Sequence, residues 1–139
     1  MNTKDKLFKI GISTDDKCVT CAREPETIDH LFFDCCYSRE VVKLVGDWLG
    51  MPLPIRDILD WRLNMRGSKV RIDMINAAVN ACIYHTWRQR NTSRFEMHLL
   101  RPQKVADNII GDVKLKLKGS MGKDDFCEQA FLNRLIGRQ

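Results

Sequence analysis

The stretch Cys18–Cys36, CVTCAREPETIDHLFFDCC, holds four of the chain's 6 cysteines and one of its 3 histidines. The spacing is C-x2-C-x8-H-x4-C, running through Cys18, Cys21, His30 and Cys35. The first pair places two thiolates on one tight turn, and the second places an imidazole and a thiolate about a helical turn apart. Two such pairs can close tetrahedrally around one ion at roughly 2.0 to 2.3 Å from each ligand. The stretch therefore predicts a metal site.

The ligand types indicate which metal this site would hold. Three thiolates and one imidazole favour zinc over magnesium or calcium, and an iron–sulfur cluster would normally require four cysteines. Cys36 can replace Cys35 as the fourth ligand, because H-x5-C is also a reachable spacing. Four protein ligands leave no open position for water or substrate, so we expect one structural Zn²⁺ and no chemistry at the metal.

The length and the N-terminal sequence favour a small intracellular protein. At 139 residues the chain is the size of one domain. The opening, MNTKDKLFKIGIS, has neither a long apolar run nor a cleavage-site pattern, and no later segment reaches about eighteen uninterrupted apolar residues. We expect no signal peptide, no membrane partner and a reducing compartment, either nucleus or cytoplasm. There, clustered cysteines indicate metal binding rather than disulfides.

Charge is distributed unevenly along the chain, whose net charge is +5. Residues 1–60 carry 8 Lys and Arg against 11 Asp and Glu, a net charge of −3. Residues 61–139 carry 15 against 7, a net charge of +8. The second part is therefore the part suited to a polyanionic partner.

Capping residues and short apolar stretches predict the secondary structure of residues 1–60. The apolar stretch 7–12, LFKIGI, is predicted to form a brief strand or a turn. Thr27 can cap a short helix that begins near Ile28 and contains the candidate ligand His30. Ser38 is a second predicted cap, for an amphipathic helix that ends at Gly50.

The second part shows helical periodicity over most of its length. A short amphipathic segment covers 55–63, a long helix is predicted over 69–98, and further helices over 105–117 and 126–135 follow, the last after a turn at 119–122. The predicted apolar face of the long helix consists of Ile75, Val79, Cys82, Ile83 and Trp87. We predict a mainly α fold: a small zinc-stapled N-terminal loop and helix followed by a bundle of amphipathic helices. The chain is predicted to be one domain, with its zinc-binding part at about 15–50 and its basic helical part at about 55–139.

The run DDKCVTCAREPETIDHLFFDCCYSREVV, residues 15–42, resembles the zinc-binding domain that follows the reverse transcriptase in LINE-type (non-LTR) retrotransposons, particularly those of plants. The core ETIDHLFFDC, residues 26–35, is the most specific part. The run AAVNACIYHTWRQRNTSRF, residues 77–95, resembles the helix that follows in the same proteins. The resemblance implies that the zinc ligands are Cys18, Cys21, His30 and Cys35. It thus favours Cys35 over Cys36, which is expected to be a buried or spare thiol.

The chain also departs from the family pattern. The family domain usually begins with an apolar, aromatic helix upstream, so the chain is expected to be N-terminally truncated relative to it and to leave apolar surface uncovered. A tryptophan often stands where this chain has Val42. The catalytic motifs of the element's reverse transcriptase and endonuclease are absent from this sequence. We therefore expect a module that is not an enzyme.

Arginines with aromatic neighbours mark a candidate nucleic-acid surface near the end of the long predicted helix. Arginine side chains suit phosphate geometry and can stack on bases. A solvated helix face with Trp87 in the core is an equally ordinary interpretation of the same residues. The predicted nucleic-acid contacts are Arg88, Arg90, Arg94, Arg101 and Lys104.

Two classes of function remain open from the sequence. The first is a non-catalytic, retrotransposon-derived zinc module that binds RNA or DNA as an accessory to reverse transcription. The second is a zinc-stapled interaction or scaffold module that docks on a reverse transcriptase domain or another protein without binding nucleic acid. A retroelement remnant with no selected role is a further alternative.

Overall fold

The computed structural model describes residues 1–65 and 67–120 of the chain. This part contains five α-helices, labelled in chain order α1 Lys4–Lys9, α2 Cys36–Leu49, α3 Ile58–Asn64, α4 Lys69–Glu96 and α5 Pro102–Ser120. A π-helical turn, His30–Asp34, comes directly before α2, and an isolated antiparallel bridge joins Lys17 to Pro25. The predicted mainly helical fold is therefore confirmed.

The hydrophobic core lies where α2, α4 and α5 pack on one another. Helix α5 contributes a strict four-residue repeat of buried side chains: Val105, Ile109, Val113 and Leu117. Across from it, α2 and α4 bury Val41, Val45, Trp48, Met74, Ile75, Ala78, Val79 and Cys82. Each fully buried aliphatic side chain of this kind stabilises the fold by roughly 1.5–3 kcal/mol. The apolar periodicity of the sequence thus identified the packed face of α5 and the first part of the packed face of α4, through Cys82.

Helix α4 matches its predicted extent closely, but its buried face differs from the predicted one. The side chain of Ser68 caps its first turn by accepting a hydrogen bond from the N–H of Arg71, and the helix ends at Glu96 rather than His98. Its buried face continues from Cys82 through His85 and Gln89, so Trp87 lies 44% exposed and outside the core. Although α4 is long, neither it nor any other helix in the described part is long and apolar enough to cross a membrane.

The structure decides several local predictions. Of the strand or turn predicted for residues 7–12, it forms the turn, which follows directly after the end of α1 at Lys9. Ser38 is not the cap of α2, because Cys35 occupies that position and the buried Ser38 hydroxyl donates to the carbonyl of Leu31 at 2.5 Å. Gly50 ends α2 in the left-handed conformation, φ 78°, as predicted. At the C-terminal end of the described chain, α5 continues over the first two residues of the turn predicted at 119–122; the remainder of that turn and the helix predicted over 126–135 lie outside the described residues.

A buried ion pair joins the cysteine-rich segment to α4. The carboxylate of Glu26 is fully buried, and its Oε1 accepts hydrogen bonds from Arg90 Nη2 at 2.7 Å and Nε at 3.1 Å. Backbone N–H groups also donate to this carboxylate, from Lys4 to Oε1 at 3.0 Å and from Val19 to Oε2 at 3.2 Å. The guanidinium of Arg90 in turn donates to the carbonyl of Asn2 at 3.0 Å. One carboxylate thus connects α1, the cysteine-rich turn and α4.

Removing one member of this pair should strongly destabilise the protein. Breaking a buried ion pair leaves an uncompensated charge and costs about 3–5 kcal/mol, so we expect Arg90→Ala to lower the free energy of unfolding by that amount. Arg88→Ala is the matched control, because Arg88 is exposed on the same helix, and a change within about 0.5 kcal/mol is expected there. Urea denaturation followed by circular dichroism measures both. Equal losses in the two variants would contradict the role of the Glu26–Arg90 pair.

Candidate metal centre

The first two candidate ligands lie on a turn closed by backbone hydrogen bonds. The N–H of Cys18 donates to the carbonyl of Glu24 at 2.7 Å, and the N–H of Ala22 donates to the carbonyl of Cys18 at 2.8 Å. Ala22 adopts a left-handed conformation, φ 57°, which sharpens the turn directly after Cys21. This short loop places the Cys18 and Cys21 sulfur atoms in the same group of potential ligands.

The other two candidate ligands come from the two ends of the π-helical turn. The Oγ1 of Thr27 accepts a hydrogen bond from the N–H of His30 at 3.0 Å, which confirms Thr27 as the predicted cap. The N–H of Cys35 then donates to the carbonyl of His30 at 2.6 Å, a bond that spans five residues. At 3.6 residues per turn an α-helix would direct residues five apart toward different sides, whereas the wider π turn brings them onto the same side. The local backbone therefore explains how an H-x4-C spacing can supply two ligands.

The four candidate ligand atoms form one compact group. All of them lie within 4.8 Å of one another. The Cys18 and Cys35 sulfurs are 3.9 Å apart, and the Cys21 sulfur is 3.3 Å from His30 Nε2. Two thiolates bound tetrahedrally at about 2.3 Å from zinc would be about 3.8 Å apart. The residues present therefore fit a single tetrahedral zinc ion.

The structure brings together the four residues predicted as ligands and leaves out Cys36, the alternative fourth ligand. Cys35 is fully buried beside Cys18, whereas Cys36 is exposed and lies outside the group. The two neighbours point differently because Cys35 is the extended residue before α2 and Cys36 is the first residue of the helix. Cys36 is thus a spare thiol at the surface rather than a buried one.

Hydrogen bonding in the group favours thiolate at Cys35. The hydrogen bond from Cys18 lowers the pKa of Cys35 to about 4, and the same contact, followed by burial, raises the pKa of Cys18. The hydroxyl of Thr20 lies 3.1 Å from one of these sulfurs and 3.2 Å from the other. Backbone N–H groups of the first turn of α2, at Ser38 and Tyr37, further lower the pKa of Cys35. A bound divalent cation would supply the positive charge that stabilises thiolate ligands.

His30 is oriented with one ring nitrogen toward the group. Its Nε2 faces the Cys21 sulfur, while Nδ1 is buried and has no hydrogen-bond partner among the described residues. The Oε2 of Glu24 lies 3.5 Å from Nδ1, slightly beyond a good hydrogen bond. A carboxylate in this position typically fixes the tautomer of a metal-binding histidine and increases the basicity of the ligand nitrogen. The arrangement suits binding through Nε2, with Nδ1 on the side of Glu24.

Comparison with known proteins agrees with this geometry at the level of a family. A family model described as zinc-binding in reverse transcriptase matches residues 1–41. No curated protein and no solved structure matches the chain. The matched segment contains all four residues of the Cys/His group and the beginning of α2, while α4 and α5 lie outside it. The N-terminal segment is therefore similar to a reverse-transcriptase zinc-binding domain.

The residues predicted to contact nucleic acid do not all reach the surface. Arg88 is exposed and Arg94 is half-buried on α4, and Arg101 and Lys104 are exposed at the beginning of α5. Arg90 is only 4% exposed and is engaged by Glu26. Burial in this pair removes Arg90 from the surface that can contact a phosphate.

Sequence reasoning did not single out the residues that support the group. Thr20 lies inside the C-x2-C turn, where a hydroxyl could have been recognised as a donor to sulfur. Nothing local marks Glu26 as buried, since a glutamate before a short helix is an ordinary surface residue. Its burial depends on Arg90, which follows 64 residues later.

The two adjacent cysteines allow a sharp test of the metal site. We expect Cys36→Ser to retain one zinc ion per chain and Cys35→Ser to lose stoichiometric zinc, because only the Cys35 sulfur belongs to the group. Structural zinc contributes on the order of 10 kcal/mol to folding in small zinc peptides at neutral pH, so Cys35→Ser should also unfold at a clearly lower temperature. Elemental analysis and thermal denaturation measure the two effects. Zinc loss on Cys36→Ser with retention on Cys35→Ser would refute the ligand set.

Proposed function

We propose that the chain is a non-catalytic, zinc-stapled module that binds RNA or DNA through the basic surface of α4 and α5, as an accessory to reverse transcription in a LINE-type retroelement. The observation that carries the proposal is the position of four basic side chains that make no ion pair among the described residues and lie in the region of net positive charge. These residues are Arg88, Arg94, Arg101 and Lys104. The similarity of residues 1–41 to a reverse-transcriptase zinc-binding family supports the retroelement context.

The Cys/His group has a structural role in this proposal. Three sulfurs and one imidazole complete a tetrahedral zinc site, so no coordination position is left for a substrate. When bound, the zinc supplies folding free energy at the start of α2. Cys35 connects the site to α2, which packs on α4 and α5, while Glu26 connects it to α4. The site thus helps to hold the helices that carry the basic side chains.

The start of α5 is a specific reason to expect an anionic partner. Arg101 and Lys104 lie at its N-terminal end, and its first turn contains no acidic residue. Positive charges at a helix N-terminus interact unfavourably with the helix dipole, by roughly 0.3–1 kcal/mol each. These residues therefore do not stabilise α5 by their charge, and a phosphate bound beside them would remove the unfavourable interaction.

A second function, protein docking, is favoured by an apolar groove beside α2. The groove has a volume of about 670 Å³ and is lined mainly by apolar side chains, among them Phe32, Phe33, Val42, Met51 and Leu53. On α1 and the turn after it, Phe8, Ile10 and Ile12 are also exposed. Under this alternative the chain would dock on a reverse transcriptase domain or another protein, and its affinity for nucleic acid would be negligible.

The proposed function predicts salt-dependent binding of oligonucleotides. Four phosphate contacts should make the logarithm of the association constant fall against the logarithm of salt concentration with a slope of about −3 to −4. Replacing Arg101 and Lys104 together by Glu should weaken binding at least about tenfold and reduce that slope by about two. Fluorescence anisotropy with labelled RNA and DNA at several salt concentrations gives both values.

The control for this experiment has the same change in net charge on the acidic part of the chain. Arg39 and Lys43 are exposed on α2, so Arg39→Glu with Lys43→Glu alters charge equally away from the proposed surface. This variant should retain nearly the affinity of the unmodified protein. Equal loss in both double variants would show that only net charge matters, and unchanged anisotropy of the unmodified protein at low salt would overturn nucleic-acid binding.

A further inference from the structure

The solvent face of α4 carries a continuous row of aromatic and arginine side chains. We name this row the aromatic–arginine stripe; it consists of Tyr84, Trp87, Arg88, Asn91, Arg94 and Phe95. Spacings of three and four residues place these positions along one face of a helix, over about 16 Å of its length. The buried face of α4, which includes Cys82, His85 and Gln89, lies on the other side. The stripe is therefore a surface that the core does not use.

The aromatic side chains of the stripe are unusually open to solvent. Tyr84 is 52%, Trp87 44% and Phe95 73% exposed. The Tyr84 and Trp87 rings lie side by side, with centroids 6.2 Å apart and planes inclined by 35°. The guanidinium of Arg94 lies 5.2 Å from the centroid of the Phe95 ring. Three large apolar rings on one face of a helix mark a binding surface rather than part of the fold's own packing.

The charge of the stripe identifies the kind of partner. Residues 84–95 contain no Asp or Glu, so the rings are interleaved with positive charge alone. Arginines contact phosphates, and exposed aromatic rings stack on nucleic-acid bases, which are accessible in single strands but covered by their neighbours in a duplex. We propose that α4 binds single-stranded RNA or DNA along the stripe, with bases stacked on Trp87, Tyr84 and Phe95 and with Arg88 and Arg94 contacting the backbone. This inference rests on the proposed nucleic-acid function and assigns the type of strand and the aromatic residues that bind it.

The neighbouring groove between α4 and α5 is less suited to a phosphate backbone. It is lined by Tyr84 and Arg88 from α4, and from α5 by two lysines and two carboxylates: Lys114, Lys118, Asp107 and Asp112. The Asp112 carboxylate is 2.7 Å from His85 Nε2, which holds it between the two helices. The groove thus presents charges of both signs and, apart from Tyr84, no aromatic ring, whereas the stripe combines three rings with positive charge alone; the stripe is therefore the proposed site.

Substitutions at Trp87 can separate ring stacking from general apolar contact. Trp87→Phe retains an aromatic face, whereas Trp87→Leu retains an apolar side chain without one. Because one stacked base is lost, we expect Trp87→Leu to weaken single-strand binding by at least about fivefold, and Trp87→Phe to retain most of the affinity. Tyr84→Leu should act in the same direction as Trp87→Leu. All three substitutions are at exposed positions, and circular dichroism verifies that the variants are folded.

The measurement is anisotropy at one salt concentration with single-stranded RNA, single-stranded DNA and a DNA duplex of the same sequence. Phe8→Leu is the matched control, because Phe8 is an exposed aromatic residue of α1 and does not belong to the stripe. Selective loss of single-strand binding in Trp87→Leu and Tyr84→Leu, with Trp87→Phe and Phe8→Leu near the unmodified protein, supports the proposal. Loss confined to RNA or to DNA also supports it and identifies the strand.

Other outcomes would contradict binding along the stripe, and they can be distinguished from failure of the proposed nucleic-acid function. If the unmodified protein binds strands but Trp87→Leu and Tyr84→Leu bind equally well, the stripe is wrong while nucleic-acid binding stands. If Trp87→Leu and Tyr84→Leu weaken binding of the duplex as much as binding of the single strands, the proposed stacking of exposed bases on these rings is wrong. Light scattering tests a further outcome. If the unmodified protein is a dimer, if Trp87→Leu makes it a monomer and if added oligonucleotide does not dissociate it, the stripe is covered by a second copy of the chain and the proposal is wrong. Absence of binding to any strand overturns the proposed function and the stripe with it.

Discussion

The buried contact between Glu26 and Arg90 is the constraint on which the arrangement of this protein depends. A carboxylate with no solvent exposure is held by a guanidinium and by two backbone N–H groups, so every element that contacts it is restricted in position. Such a pair contributes less to net stability than to the choice of one arrangement, because desolvation offsets much of the attraction. Its geometric consequence is clear: the Cys/His segment is fixed against the C-terminal part of α4, the longest helix of the described residues.

A second constraint comes from the π-helical turn before α2. It directs His30 and Cys35 to the same side and ends where α2 begins, so the metal group and the first helix of the core share one backbone segment. The acidic N-terminal part therefore packs on α4 and α5, two helices that also carry exposed basic side chains. This division places metal binding and the proposed nucleic-acid contacts on different parts of the molecule, with Glu26 and α2 as the physical connections between them.

Periodicity in the sequence identified the core more reliably than it identified the surface. The four-residue repeat of Val105, Ile109, Val113 and Leu117 can be buried only as one stripe of a helix, and it is buried. On α4, a similar repeat led toward Trp87, yet the packed face follows His85 and Gln89 instead. These polar side chains are buried because each has a specific partner: Asp112 for His85 and the backbone of Leu100 for Gln89. Partners distant in sequence cannot be recognised from local patterns.

The sequence by itself determined the helical class, the beginning of the long helix at Lys69 and a Cys/His group with two candidates for its fourth ligand, because helix periodicity and ligand spacing are local properties of the chain. The tertiary structure decided which neighbouring cysteine faces the group, which arginine is buried and which aromatic side chains are left in solvent. Cys35 and Cys36 differ by one residue, and Arg88 and Arg90 by two, yet each pair is divided between interior and surface. The physical reason is that burial of a thiol or a charge depends on ligands and counter-charges brought from elsewhere in the chain, and only folding brings them together.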